Sequence, residues 1–311
     1  MEAITPASSA ACESAGRTHI SVCICTYQRP EYLARLLDKL SGQDTQGLFT
    51  YSIVVADNDR LRSAESVAGD FAARSAVQLT YCVEPQPGIP FARNRVVANA
   101  TGDYLAFIDD DEFPGQDWLL TLLQACREYN VDGVLGPVKP YFQQTPPRWL
   151  LKSKLYDRRT YSTGTPVDWR NSRTGNVLIK RKVVKTCPQP FRPQFARGED
   201  VDFFRRMIAV GFRFVWCDEA VAYEEVPPAR WQRAEILRRA WQRGRCAALQ
   251  PVGARGVGKS LVAIFVYTAA LPFALVMGQH RFMQLMVKLC DHAAKLGALV
   301  RRRRAVADIL G

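Results

Sequence analysis

The chain has no Cys-x-x-Cys pair, and its nine cysteines are scattered without any spacing that would suggest a zinc site. An odd number also makes a poor disulfide framework, so a reducing compartment is expected. Cys23 and Cys25 stand two apart in an apolar run and should share one sheet face as small core-facing residues. Glycine-rich phosphate loops are missing too. Gly-x-Gly-x-x-Gly follows neither acid-ended strand, and the Gly-Lys-Ser within Gly253 to Ser260 lacks both a leading strand and the full P-loop spacing. The first 18 residues, rich in Ala and Ser, hold no apolar run behind a basic start. They are expected to be disordered rather than a secretory signal, which leaves the main domain in the cytosol.

Acidic residues are scarce in the last quarter of the chain. Up to Val226 there are 27 basic and 27 acidic residues; from Pro227 onward there are 15 and 3, so the whole excess of +12 lies in the tail. These basic residues flank apolar stretches, which favours anionic lipid headgroups over nucleic acid, and no nucleic-acid partner is expected. Ser260 to Met277 runs 18 residues without a charge, at the lower limit for spanning a bilayer, and contains Pro272. Phe282 to Val300 is amphipathic and leads into Arg301 to Arg304. A single crossing would put those arginines outside the cytosol, so a helical hairpin or an in-plane helix pair is expected on the cytoplasmic face of the inner membrane.

What the sequence does contain is a hydrophobic share of 48% over 311 residues, enough to fill one large α/β core plus an appendage. Residues 20 to 139 alternate short β-branched runs with helical patterns, as stacked βαβ units around a mostly parallel sheet do. Expected strands are Ile20 to Cys25, Tyr51 to Asp57, Val77 to Val83, Tyr104 to Asp109 and Gly133 to Val138. The helices between them are Glu31 to Leu40, Ser63 to Arg74, Pro90 to Asn99 and Asp117 to Tyr129, with Pro30 and Pro90 as helix-starting prolines. From Pro140 to Arg173 the pattern loosens into Pro, Trp and Arg-rich loops suited to an acceptor. Beyond lie a strand over Thr174 to Lys180, a helix over Glu199 to Val210, short strands within Arg213 to Tyr223, and a basic amphipathic helix over Trp231 to Ala248. The division expected is a catalytic domain over 19 to 248 and a basic helical tail over 249 to 311.

The strongest chemical signal is Phe107-Ile108-Asp109-Asp110-Asp111-Glu112, an apolar strand running into four acids. Adjacent carboxylates repel, so something positive should bind there, and a hard divalent cation, Mg²⁺ or Mn²⁺, bridges carboxylates to a diphosphate. Strand alternation would place Asp109 and Asp111 on one side, at the sheet edge where open α/β folds hold ligands. A second strand ends in Asp57-Asn58-Asp59, where Asp57 could meet a base or ribose; by itself such a residue is more often a turn or helix cap. Gly198-Glu199-Asp200-Val201-Asp202 opens a helix, and acids there are ordinarily caps and dipole partners. Inverting sugar transfer nevertheless needs one carboxylate to take the acceptor proton, and Asp200 is the choice.

Together these segments resemble family 2 of the inverting glycosyltransferases with the GT-A fold, over roughly Ser21 to Arg230. The resemblance rests on Ser-Val-Cys-Ile-Cys-Thr-Tyr-Gln-Arg-Pro (21 to 30), Val-Ala-Asp-Asn-Asp (55 to 59), Pro-Gly-Ile-Pro-Phe-Ala-Arg-Asn (87 to 94), the segment 102 to 112, and Gly-Glu-Asp-Val-Asp-Phe-Phe (198 to 204). Val-Leu-Gly-Pro-Val (134 to 138), Pro-Arg-Trp (147 to 149) and Arg-Thr-Gly-Asn (173 to 176) look like glucosyltransferases of succinoglycan-type exopolysaccharide assembly. The resemblance implies a UDP-sugar donor and a lipid-linked oligosaccharide acceptor. It implies that Thr26 and Tyr27 contact uracil, that Asp57 pairs with the base, and that Arg29, Arg93, Asn94, Asp109 and Asp110 line the nucleotide-sugar site. Asp111 with Asp109 would hold the metal, and Asp200 with its neighbour Glu199 would form the catalytic motif. The family's histidine after the last strand is replaced by Tyr223, which leaves Glu224 or water to fill the metal shell, or the metal held mainly by Asp111 and the diphosphate. That departure sustains an alternative expectation: a decayed, nucleotide-sugar-binding scaffold recruited to the membrane by its basic tail.

Overall fold

The computed structural model describes residues 17–195, 197–248 and 253–310; the expected disorder of the first residues lies almost wholly outside them. In chain order the elements are β1 (Thr18–Thr26), α1 (Pro30–Leu40), β2 (Phe49–Asp57), α2 (Glu65–Arg74), β3 (Leu79–Val83), α3 (Ile89–Asn99), β4 (Tyr104–Phe107), β5 (Glu112–Pro114) and α4 (Trp118–Glu128). Then follow β6 (Gly133–Leu135), β7 (Val138–Tyr141), α5 (Arg148–Ser153), β8 (Val177–Lys180), α6 (Arg181–Val184), α7 (Glu199–Ala209), β9 (Phe214–Trp216) and β10 (Ala222–Glu225). Three long helices close the described chain: α8 (Arg233–Ala247), α9 (Ala254–Val276) and α10 (Gln279–Leu310).

Two compact units result, one comprising the described residues up to Pro140 with Arg158–Glu224, the other Tyr141–Asp157 with the described residues from Glu225 onward. The first is built on a seven-stranded sheet in the order β3-β2-β1-β4-β8-β6-β9. β1 lies parallel to β2 and β4, β2 to β3 and β6 to β9, while β8 runs antiparallel to both β4 and β6. Alternation along β1 sends Ile20, Val22 and Ile24 into a core with α1 and α4, and Cys23 into a second core with α3 and α7. Both faces are covered, as a mainly parallel sheet requires. Cys23 and Cys25 are free thiols that pack on the α3 side, the core-facing role expected of them.

The run Gly133 to Val138 does not form one strand. β6 stops at Leu135, and β7 joins a separate sheet of order β5-β10-β7. The break falls at Gly136, where an added Cβ would lie 2.2 Å from the Ala220 carbonyl oxygen, and at Pro137, which has no N–H for a ladder. The buried amide of Asn176 fixes this corner. Its Nδ2 donates to the carbonyls of Pro137 and Ala220 at 2.8 and 2.7 Å, and its Oδ1 accepts from Trp118 Nε1 at 2.8 Å. β4 likewise ends at Phe107, so Asp109 to Asp111 form a turn rather than continuing the strand.

In the second unit, α10 packs against α8 and α9. Gly244 permits the first contact, because a Cβ there would sit 2.2 Å from the Asp291 carbonyl oxygen. Leu150 of α5 joins Ile236, Ala240, Met283 and Val287 in a small core, bordered by Phe142, Tyr156 and Trp231. The basic amphipathic segment expected over Trp231 to Ala248 therefore belongs with the last helices, and Trp231 lies in a 3₁₀ turn before α8. α9 is long and apolar enough to cross a membrane, and only 11% of its apolar window is buried.

Candidate active site

The four acids after β4 are neutralised by three arginines from distant parts of the first unit. Arg29, just before α1, reaches Asp110 Oδ1 at 3.2 Å and Asp111 Oδ2 at 3.4 Å. The other oxygen of Asp110 accepts from Thr26 Oγ1 at 2.9 Å. Arg93 of α3 is buried and pairs with Glu199 while lying 3.6 Å from Asp109. Arg158, from the irregular segment, pairs with Glu224 and lies 3.8 Å from Glu112 Oε1. Strict alternation of Asp109 and Asp111 does not apply in the turn: Asp111 shares a guanidinium with Asp110, and Asp109 sits with Arg93.

Burial, reinforced by the charge of Asp111, pushes the Asp110 carboxyl up to about 6. Burial next to Asp109 pushes Glu112 well above the usual carboxylate range. A fourth arginine, Arg173, is lowered to about 10 by burial and then by Arg158; it lies over the Trp216 ring, 5.7 Å from its centroid. The cluster is thus a dense, partly desolvated set of alternating charges, the kind of place where an entering anion or cation redistributes partners.

Other expected site residues fall on either side of this cluster. Tyr27 is exposed at 54%, its ring available to a ligand. Asp57 is fully buried, and the structure does not bring its carboxylate out: it accepts from Asp59 N, Ala64 N and Tyr81 Oη at 3.0, 2.8 and 2.9 Å. Asn94 is also engaged, exchanging hydrogen bonds of 2.7 and 3.1 Å with the Phe191 backbone. The motif at α7 splits cleanly. Glu199 turns inward to Arg93 and Asp202 is fully buried against Arg206 at 2.9 Å, whereas Asp200 is half-buried and accepts, among the described residues, only from Val201 N at 2.8 Å. Gly198, at φ +82°, supplies the left-handed turn that starts this helix.

Pairing of β5 with β10 sets Glu112 opposite Glu224 and Phe113 opposite Tyr223. Neighbours on a strand face opposite sides, so Tyr223 stacks on Phe113, centroids 5.6 Å apart, and points away from the carboxylates that Glu224 faces. Sequence reasoning missed Arg158 and Arg173 as site residues, for which the only signal was the density of arginine in the irregular segment; Glu112 stood in the acid run but was given no role of its own.

The donor set decides whether a hard cation suits this place. Among the described residues no group of three or more His, Cys, Asp or Glu could hold a metal by itself. Mg²⁺ at a nucleotide site usually takes one or two carboxylates and completes its shell with phosphate oxygens and water. Asp109 and Asp111 offer hard oxygens for that role, and buried Glu112 Oε1 has no hydrogen-bond partner. Gly175 keeps the space beside them clear, since a Cβ there would meet Glu112 Oε1 at 2.7 Å and Asp109 Oδ2 at 2.9 Å. The residues therefore fit a cation shared with a bound diphosphate.

A family model described as glycosyl transferase family 2 matches residues 21–187. The chain is 33% identical over 229 residues to the succinoglycan biosynthesis protein ExoM of Rhizobium meliloti, covering 73% of each chain. It is 25% identical over 228 residues to the glycosyltransferase AglE of Haloferax volcanii, covering 73% of this chain and 72% of that one. Among solved structures, the mannosyltransferase PcManGT from Pyrobaculum calidifontis, in complex with GDP-Man and Mn²⁺, superposes with a TM-score of 0.60 at 17% identity, covering 90% of this chain and 87% of that one. S. aureus TarS 1–349 in complex with UDP gives 0.53 at 16% identity, covering 92% of each. At such identities these likenesses speak to the GT-A fold alone.

Proposed function

Because this chain belongs to glycosyl transferase family 2, we propose that it transfers a hexose, with glucose the first choice, from a UDP-sugar to a lipid-linked saccharide with inversion at the anomeric carbon. The reading extends to the assembly of an exopolysaccharide or other cell-surface glycan at the cytoplasmic face of the inner membrane. The likeness to a succinoglycan biosynthesis protein supports the product class. Uridine is the donor base that the motif resemblance implies, and guanosine is the one to test against it, since structures of this fold are known with UDP, UDP-GlcNAc and GDP-Man. The exposed apolar face of α9 supports membrane association.

The observation that carries the proposal is the division of labour at the start of α7. Glu199 is committed to Arg93, which leaves Asp200 as the carboxylate with an oxygen free of partners among the described residues. In the reaction, Asp200 takes the proton of the acceptor hydroxyl as its oxygen bonds to the anomeric carbon and the bond to the diphosphate breaks. Tyr27 would stack on the base. Arg29, Arg93 and Arg158 would rebalance their charge as the diphosphate arrives, stabilising it as it leaves. Asp109 and Asp111 would hold Mg²⁺ or Mn²⁺, which supplies positive charge to the departing diphosphate.

Tyr223 keeps a second reading in view, a nucleotide-sugar-binding scaffold without turnover. One assay separates the two: consumption of UDP-glucose in the presence of a membrane acceptor extract. Asp200→Asn should lower transfer by about 10²–10⁴-fold, the usual contribution of a general base, with donor affinity nearly unchanged. Wild-type transfer in that variant removes Asp200 from the mechanism, and no consumption by the native protein with any nucleotide sugar favours the scaffold.

A further inference from the structure

At the turn between α9 and α10, the second unit contains a cavity of ≈ 310 Å³ lined by Arg233, Leu275, Gln279, Phe282 and Met283. That volume lies at the lower end of the range for small-ligand sites, roughly 300–1,000 Å³. Three of its five lining side chains are apolar, one is an amide and one a guanidinium. Arg233, the first residue of α8, lies 5.9 Å from the centroid of the Trp149 ring, and the Gln279 amide oxygen, turned toward it, accepts from its guanidinium. No carboxylate among the described residues lies within ion-pair distance of Arg233, and none lines the cavity. Arg233 is exposed at the mouth of this space, and a guanidinium set between aliphatic and aromatic walls suits an anion carrying an apolar body.

The surroundings say where such an anion would come from. Phe273, Leu275, Val276 and Met277, which lead into the turn, are 73, 63, 90 and 65% exposed. Apolar exposure of this extent, broken only by buried Ala274, marks a surface that meets a partner or a membrane. α5, which carries Trp149, adds exposed Arg148 and Lys152 beside it in sequence. Apolar surface flanked by cations is the arrangement that suits the headgroup level of a membrane. We propose that the cavity is a binding site for one anionic glycerophospholipid, with its phosphate on Arg233 and Gln279 and its first methylenes against Leu275, Phe282 and Met283. The Gln279 oxygen occupies the Nε and Nη2 donors, so a phosphate would meet the outer Nη1–Nη2 edge of the guanidinium. With no acid in the lining to receive a choline, a net-negative headgroup is preferred over a zwitterionic one. The proposal rests on the membrane reading of α9 but not on the chemistry of the transfer reaction.

The test uses the full chain, purified in detergent and examined by native mass spectrometry after equilibration with phosphatidylglycerol or phosphatidylcholine. One phosphatidylglycerol should be retained per chain, in at least tenfold preference to phosphatidylcholine. Arg233→Gln should lose that adduct at least tenfold, and Phe282→Trp, which fills the cavity and leaves the charge, should lose it as well. Arg281→Gln, an exposed cation on the same turn, should retain it. Equal retention of both lipids, or an unchanged adduct in Arg233→Gln with native circular dichroism, overturns the site. Water-soluble dihexanoyl phosphatidylglycerol separates this claim from membrane attachment. Binding that depends on Arg233 in a protein that pellets with no vesicle leaves the site standing and removes the membrane reading. Vesicle pelleting that is indifferent to Arg233, with no dihexanoyl phosphatidylglycerol bound, does the reverse.

Discussion

The ends of β2 and β4 read almost alike, each an apolar strand running into clustered acids, yet the protein treats them differently. After β2, Asp57 and Asp59 are satisfied within their own neighbourhood: Asp57 by two backbone N–H groups and the Tyr81 phenol, Asp59 by Leu61 N at 3.0 Å. After β4, the acids are balanced by Arg29, Arg93 and Arg158, side chains contributed from three separate segments. A backbone N–H in a turn has nowhere else to go, whereas a guanidinium on a flexible stem can change partners when a diphosphate or a cation arrives. One acid cluster therefore holds the chain and the other holds exchangeable charge.

The largest test of this contrast removes a shared cation. Arg93→Met leaves Glu199 buried without a partner, and loss of one member of a buried pair costs about 3–5 kcal/mol. Urea unfolding should show that loss. Adding Glu199→Met should recover most of it, because no buried charge then remains, and a double variant as unstable as the single one means that the packing around Arg93, not its charge, matters. Next in size is Asp111→Asn. Here transfer should fall by about 10²–10³-fold, the scale of losing one electrostatic contact to a developing charge, with little change in unfolding. A variant that instead unfolds early while turning over normally would make the β4 acids structural and dissolve the contrast.

How much of this could be read beforehand follows from the same distinction between local and distant partners. Strand and helix alternation through Asn99 was legible because hydrophobic period is a local property, and the acids at 57, 109 to 111, 199 and 200 stood out for the same reason. The division at Gly136 was not. Its cause is the approach of Ala220 and Asn176, forty and more residues away, and nothing in Val-Leu-Gly-Pro-Val announces them. Arg158 was hidden likewise, because Glu112 and Glu224 meet it only after β5 pairs with β10. Within Pro140 to Arg173, read as loops, Leu150 and Trp149 pack with the last helices, and an apolar Trp-Leu-Leu amid prolines was the one hint of it. Asp57 is a different case, a residue noticed for its motif whose side chain is held by Asp59 N, Ala64 N and the Tyr81 phenol.

The β2 side predicts losses of stability. Asp57→Ala strands three donors, and with hydrogen bonds to a charged group contributing about 1.5–3 kcal/mol, unfolding should ease by roughly 3 kcal/mol. A normal unfolding midpoint with weakened uridine binding would instead return Asp57 to the base. The smallest and sharpest test is Tyr81→Phe. Burial, together with the hydrogen bond to Asp57, raises the Tyr81 phenol, so it remains a protonated donor across the physiological range. Its removal leaves Asp57 with its two backbone donors and should cost about 1 kcal/mol in urea unfolding without changing donor affinity. An effect on donor affinity larger than the effect on stability would mean that the two acid clusters communicate, and that β2's acids belong to the exchangeable set after all.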